Sequence, residues 1–319
     1  MFNMQIQRFL LKALTFTLIN VAILLGLLFY FSGRNRTVQL DIAETESNLL
    51  VNTSDQHYDI GLLGTSRGRV FSRDDNHQRV ENLLDKRLVN LSKGGGGGLM
   101  PAKIHLSHFY SRGNSVDHIF YLVDPWVFYS PINNDKNNFF LRDEPFELSI
   151  FWQLIVDRFP LSSILSYLQM IAVEDWAAIS KYAGSGLTKG TLKKIDTEKI
   201  DAARAYYKGR YAENGFHNYS PFVDKINTIT KANNTAVTYI MLPLLIPNFP
   251  GLDEVDKKLK AVADNNSHVS YVNLSTAMQS PKYYYDHMHF NTRGISFFTN
   301  WVFAPILGSF QVSEKELRQ

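Results

Sequence analysis

The sequence predicts an α/β domain: a three-layer sandwich on a five-stranded parallel sheet, with a helical insertion between strands 3 and 4 and one transmembrane helix in front. Three observations predict it. Five runs of four to six apolar residues are separated by helical segments, the pattern of strands buried on both faces. A stretch of 21 residues from Ala13 to Gly33 carries no charge. Finally, 45% hydrophobic and 20% charged residues over 319 positions suffice for a sizeable core and exclude a disordered chain.

Taken in order, residues 1–12 form a short tail. As a helix, Ala13–Gly33 reaches roughly 31 Å, about the thickness of a bilayer core. It exceeds the usual signal-peptide core of about 7 to 15 residues, and no A-x-A site follows Phe31-Ser32-Gly33. An uncleaved anchor is therefore expected over 13–33, with a cleaved signal as the alternative. Arg8 and Lys12 flank one side and Arg34 and Arg36 the other, so positive charge sets no orientation. A short tail before a large domain is the usual signal-anchor layout. It places residues 1–12 in the cytoplasm and the domain in the periplasm or at the cell surface of a bacterial cytoplasmic membrane.

Residues 34–56, with Asp41, Glu44 and Glu46, read as a polar linker to a domain over 57–319. Its strands are expected at Tyr58–Leu63, Leu88–Leu91, Ile119–Val123, Val237–Leu242 and Val269–Val272. Helical segments precede the last two, at Phe222–Lys231 and Asp253–Ala263. The insertion, about 130–220, holds an apolar stretch of helical spacing, Phe146–Val173, and a more charged one, Thr188–Tyr207. It is either extra packing on the sheet or a lid or docking surface.

Composition excludes several chemistries. There is no cysteine, hence no disulfide, thiol nucleophile or thiolate zinc site. With 33 basic and 30 acidic residues the net charge is +3, and no basic block is dense enough to bind nucleic acid. Hydroxyl, imidazole and carboxylate groups remain.

In open α/β sheets ligands bind at the carboxyl ends of the strands. Strand one ends in Gly64-Thr65-Ser66, a hydroxyl on a tight turn opening a helix, although serine is also an ordinary helix cap. Strand two ends in Asn90-Leu91-Ser92-Lys93 and then Gly94–Gly98, either a flexible linker or a backbone free to approach a substrate oxygen. Near the C-terminus Asp286 and His289 stand three residues apart on a turn, where the carboxylate can orient the imidazole that takes a proton from the serine. His287-x-His289 beside Asp286 lacks the further ligands of a zinc site, so no metal or cofactor is expected. Trp126 and Tyr129, just after strand three, are candidates for stacking on a substrate ring.

Gly64-Thr65-Ser66, Asn90-x-Ser92-x-Gly94-Gly95 and Asp286-x-x-His289-x-Asn291-x-x-Gly294, in this order, resemble the blocks of the SGNH (GDSL-like) hydrolase superfamily, whose sheet is flavodoxin-like. The resemblance covers roughly residues 57–309. It implies Ser66 as nucleophile, His289 as general base and acid, Asp286 as its orienting group, and an oxyanion hole from the Ser66 and Gly95 backbone N–H groups. The family's third donor, an asparagine after strand three, is replaced here by Val123-Asp124-Pro125-Trp126. With the anchor, the chain is similar to the accessory proteins of alginate O-acetylation and teichoic acid D-alanylation. That similarity implies acyl transfer or ester hydrolysis on an acylated envelope polysaccharide, beside a multi-pass membrane O-acyltransferase. The alternative is a degenerate domain that binds polysaccharide or tethers a complex.

Overall fold

Strand periodicity sets the layers. The computed structural model describes residues 2–35, 45, 47–52, 54–95, 97–137, 139–141, 144–173 and 186–308. Its strands are β1 (His57–Gly64), β2 (Leu88–Asn90), β3 (Ser115–Val123), β4 (Ala236–Met241) and β5 (Val269–Asn273). All pair in parallel, in the order β2-β1-β3-β4-β5. Side chains alternate between faces with period two. Ile119, Tyr121 and Val123 of β3 therefore join one apolar layer, while Phe120 and Leu122 join the other.

The helices, in chain order, are α1 (Phe2–Asn35), α2 (Asn48–Val51), α3 (Ser66–Arg69), α4 (Asn76–Leu84), α5 (Leu99–Ser111), α6 (Leu148–Val156) and α7 (Leu161–Val173). They continue with α8 (Thr197–Lys208), α9 (Gly215–Tyr219), α10 (Pro221–Ala232), α11 (Leu252–Asp264), α12 (Thr292–Phe298) and α13 (Ala304–Ile306). One layer is built from α5, α10 and α11, whose Ile104, Ile226 and Leu259 are fully buried. The other is built from α4 and α12 with Phe71, whose ring lies 5.7 Å from Phe298 and 5.5 Å from Phe303. This is the expected three-layer sandwich. Because β1 is followed by β2 on one side and β3 on the other, strand order reverses at β1 and β3, and their carboxyl ends open the crevice where such sheets bind ligands.

At the N-terminus, Met4–Phe31 is a helix long and apolar enough to span a bilayer, with a mean hydropathy of 2.2. The linker differs from a free tether. Within its described part, Thr45, Ser47 and Asn48 are buried and α2 is docked on the domain. The cause is Glu144, fully buried, which accepts hydrogen bonds from Ser47 Oγ at 2.7 Å and from the N–H groups of Asn48 and Leu49, both at 2.9 Å. Lys93, also buried, lies 3.4 Å from the same carboxylate. Arg69 adds bonds to Asn48 Oδ1 at 3.3 Å and to the Thr45 carbonyl.

The insertion also differs from the simple expectation. Thr188–Tyr207 is not one helix. A single 3-10 turn, Leu187–Lys189, precedes extended Gly190, and α8 begins only where Asp196 caps it by accepting from the Lys199 N–H at 3.2 Å. Tertiary bonds explain the break: Thr188 is bound to Asp74, and the Leu192 N–H donates to the Tyr284 carbonyl at 2.7 Å.

Acid should test the Glu144 clamp. Burial alone would raise its carboxyl, but Lys93, His105 and the Ser47 and Leu49 hydrogen bonds hold it below the ordinary carboxylate range. A depressed folded pKa adds stability above the unfolded value, about 4.3, that is lost as pH falls through the folded one. Burial also pushes His105 down to about 4, so it stays neutral in the fold. Its contribution drains away as pH falls from the unfolded value of about 6.5. Urea unfolding in detergent should therefore show stability declining below about pH 6.5, and Glu144→Gln should lose about 3–5 kcal/mol at pH 7 by leaving Lys93 buried without its carboxylate.

Candidate active site

Ser66 stands directly after β1, at the start of α3. The turn needs Gly64. Its φ of 155° lies where side chains are rarely tolerated, and a Cβ there would come within 2.8 Å of the Leu122 carbonyl. Thr65 caps α3, accepting from the Arg67 N–H at 3.3 Å. Thus the turn is held by its neighbours and not by the serine, whose hydroxyl is left for chemistry.

The second part comes from the other end of the chain. An isolated antiparallel bridge between Tyr284 and Phe290 closes a small loop, and the Tyr285 N–H donates to the His289 carbonyl at 3.1 Å. Asn291 fixes its base: its Oδ1 accepts from Gly294 N–H at 2.9 Å as the cap of α12, and its Nδ2 donates to the Lys282 and Tyr284 carbonyls at 3.0 and 3.2 Å. The Asn291-x-x-Gly294 spacing is therefore a helix cap that aims the loop.

This loop brings Asp286 and His289 to Ser66. Ser66 Oγ lies 2.8 Å from His289 Nε2, and His289 Nδ1 lies 2.9 Å from Asp286 Oδ2. Asp286 Oδ1 also accepts from the N–H groups of Met288 and His289, each at 2.7 Å. Burial raises the Asp286 carboxyl, but the His289 hydrogen bond and charge and the two backbone donors outweigh it, and its pKa is lowered. An ionised Asp286 favours the tautomer with the proton on Nδ1, so Nε2 is the acceptor facing the Ser66 hydroxyl. Tyr285 stacks on the imidazole with ring centroids 5.4 Å apart and an interplanar angle of 8°. His287 points elsewhere, its Nε2 accepting from the Asp196 N–H at 3.0 Å.

The glycine run is packed at Gly97 and Gly98. A Cβ on Gly97 would stand 2.5 Å from the Gly64 carbonyl and 2.6 Å from Thr65 Cα, so only glycine lets this loop lie against the Ser66 turn. Asn133 Nδ2 holds it by donating to the Gly97 carbonyl at 3.3 Å. Gly95, with φ 72°, is exposed. No described turn, loop or cap hydrogen bond uses the N–H of Ser66 or of Gly95.

Sequence reasoning missed two residues. Arg67, next to the serine, is buried, and its Nη1 lies 2.7 Å from Oδ1 of Asp124, also buried. Asp124 Oδ2 accepts from the Thr65 hydroxyl at 2.5 Å. Burial pushes the Asp124 carboxyl up, against the pull of Arg67 and Thr65. Arg67 Nε donates to the Met288 carbonyl at 2.8 Å, between the two triad members of the loop, and its Nη2 donates to the Pro243 carbonyl at the end of β4. An arginine beside a nucleophile and an aspartate after a strand are the only sequence traces of this network.

Trp126 and Tyr129 lie in the core and offer no free ring. Trp126 is 4% exposed; its ring stacks on Tyr207 and packs at a tilt on Phe249, with centroids 4.4 and 5.2 Å away. Tyr129 is 9% exposed; its hydroxyl donates to Glu254 at 2.7 Å and to the Gly251 carbonyl at 3.0 Å. Phe249, Gly251 and Glu254 in turn line a cavity of about 630 Å³ beyond the carboxyl ends of β4 and β5, with Asn248, Ser275 and Gln279 as polar lining. The two aromatics buttress the cavity wall from behind. Ser66 and His289 are not part of its lining.

No protein-family model matches this chain, and no curated protein matches it at a significant level. Geometry therefore carries the chemistry. A hydroxyl, an imidazole and a carboxylate in hydrogen-bonded sequence can perform nucleophilic acyl transfer.

Removing Arg67 should collapse the site before it affects anything else. Arg67→Met leaves Asp124 buried and unpaired, an expected loss of about 3–5 kcal/mol in urea unfolding. Adding Asp124→Leu should recover part of it, because neither charge is then stranded.

Proposed function

We propose that this protein is a membrane-anchored serine acyl-transfer enzyme of the SGNH type, an acyltransferase or esterase acting on acyl groups of a cell-envelope or exported polysaccharide. The observation that carries the reading is the Ser66–His289–Asp286 relay, at 2.8 and 2.9 Å. In the first step Ser66 Oγ attacks the acyl carbonyl carbon while its proton passes to His289 Nε2. The oxyanion that forms is met by the Ser66 and Gly95 N–H groups. Collapse breaks the ester bond, His289 returns the proton to the departing alcohol, and an acyl-serine remains. An acceptor hydroxyl, from a sugar or from water, then gives its proton to His289 and takes the acyl group, restoring Ser66.

The α1 span suits a domain held at a bacterial cytoplasmic membrane; on this reading the domain lies on its outer side, where a multi-pass O-acyltransferase would be the partner. No metal or cofactor enters these steps. The cavity lined by Asn248, Glu254, Ser275 and Gln279 begins one residue beyond Pro243, whose carbonyl Arg67 holds, and its polar rim suits the neighbouring sugars of an acceptor chain.

A second reading rests on Asp124. A carboxylate engaged with Arg67 and Thr65 donates no hydrogen bond, so the hole has two donors, and loss of one donor costs about 10² to 10³ in rate. On that reading the domain binds polysaccharide or tethers an envelope complex without turnover.

Phosphonofluoridate labelling separates the two. An activated Ser66 should be modified and Ser66→Ala should not, with turnover of an activated acetyl ester lost in the variant; an unlabelled wild-type chain favours the binding module. Asp286→Asn should slow ester turnover by about 10⁴-fold, the scale set by neutralising the orienting carboxylate of a triad. Acyl-enzyme breakdown should accelerate when envelope oligosaccharide is added, with the acyl group found on the sugar by mass spectrometry. Equal breakdown in buffer alone would make the protein an esterase.

A further inference from the structure

The α6–α7 pair has an outer face that the active site does not explain. Leu148, Trp152, Ile155 and Val156 fall at i, i+4, i+7 and i+8 on one side of α6, and all four are exposed, Trp152 at 63%. Leu161 and Leu165 continue the face on α7, Leu161 at 69%. The opposite side of α6 is equally apolar, with Ile150 and Leu154 buried against the domain. Apart from the narrow strip of Ser149 and Gln153, α6 is apolar on both its buried and its outer side; such a helix belongs in a core or in lipid, and this one has protein on one side only. Neither Leu148–Val156 nor Leu161–Val173 contains a charged residue. The turn between them is fastened down, since Asp157 is buried and bound by Lys103 at 2.7 Å and Lys225 at 3.1 Å. The apolar face is therefore rigid.

Its position identifies what covers it. The candidate membrane span ends at Phe31. In its last turns Leu28 is buried in the domain's core, and Phe29 meets Phe146, two residues before α6, edge-on at 5.5 Å. Helix α7 packs along α1. The end of the candidate span therefore lies at the level of Phe146, beside the first turn of α6. We propose that the outer face of α6 and α7 is seated in the interface of the bilayer crossed by α1, a second membrane contact beside the spanning helix. Lipid is the occupant the observations favour: the face adjoins the end of the α1 span through the Phe29–Phe146 contact and the packing of α7 on α1, and its most exposed ring is a tryptophan, the side chain that prefers the membrane–water boundary. The seat also fixes the crevice. Phe159, between α6 and α7, packs on Phe140 at 5.7 Å, and Phe140 belongs to the same loop as Asn133, which holds Gly97 beside Ser66.

The absence of cysteine makes the test direct. Nitroxide labels are placed on Trp152→Cys, Leu161→Cys and, as a control on α11, Lys260→Cys in the full chain reconstituted in phosphatidylcholine–phosphatidylglycerol vesicles. Power-saturation spectra then compare collisions with oxygen, which partitions into lipid, and with a water-soluble nickel chelate. Labels at 152 and 161 should be several-fold more accessible to oxygen than to nickel, with the reverse at 260. Leu165→Cys gives a further reading of α7 should Leu161→Cys perturb it. Nickel accessibility at 152 and 161 equal to that at 260 would overturn the proposal. Protection in native membranes but not in pure lipid would overturn it too, because a protein partner would then be the cover.

Discussion

The guanidinium of Arg67 ties the ends of β3 and β4 to the loop over Asp286–His289, which lies outside the ladders of the sheet. It pairs with Asp124 at the end of β3, donates to the Pro243 carbonyl after β4, and reaches the Met288 carbonyl in the loop that carries Asp286 and His289. Since Arg67 follows Ser66 directly, Ser66 and His289 are tied to one buried cation as well as to each other. A buried ion pair is a weak source of net stability, because desolvation offsets the attraction. Its value here is positional: three planar donor groups on one rigid fork fix three acceptors in a single arrangement. The triad's geometry is set by that arrangement, since His289 lies one residue from the carbonyl that Arg67 holds.

Glu144 does for the anchor what Arg67 does for the triad. The segment that follows the candidate span is bound by the carboxylate at Ser47, Asn48 and Leu49, and the same group meets Lys93, one residue before the glycine run. Arg69, two positions after Arg67, reinforces this from α3. Anchor and crevice thus share a buried polar cluster, and a domain so fastened has little freedom to swing on its tether. That constraint is consistent with a second contact between the domain and the bilayer.

The sheet was legible because its signal is local. Strands buried on both faces read as unbroken apolar runs; four of the five match their observed ends to within one residue, and β3 begins four residues earlier than its apolar run. Ser66, Asp286 and His289 were legible because turn chemistry and spacing put them at strand ends and on one loop. Arg67 and Asp124 were not, since a partnership across 57 residues leaves no periodic trace and each alone resembles a surface charge. Trp126 and Tyr129 were placed correctly along the chain, at the carboxyl edge of β3, yet the rings that cover them, Tyr207, Tyr211 and Phe249, come from the insertion and the β4 loop, which local pattern does not dock. The segment after Thr188 failed for a related reason: helix propensity lost to tertiary bonds with Asp74 and Tyr284.

The residue after β3 is where stability and rate compete. An asparagine there could donate to an oxyanion; an aspartate can only accept. Having taken the carboxylate, the fold must neutralise it, and Arg67 and Thr65 do so while fixing the turn under Ser66. If Ser66 is the nucleophile proposed above, the exchange would hold it better at the cost of a weaker hole. With two donors, attack by bulk water on an acyl-serine would be the step that suffers, because water brings no binding energy of its own to offset the loss. An acceptor chain held in the cavity beyond Pro243 would bring such energy and would hold its hydroxyl at high effective concentration. The same substitution that slows hydrolysis would then favour transfer, and the choice of acceptor would be made by the cavity wall that Trp126 and Tyr129 support.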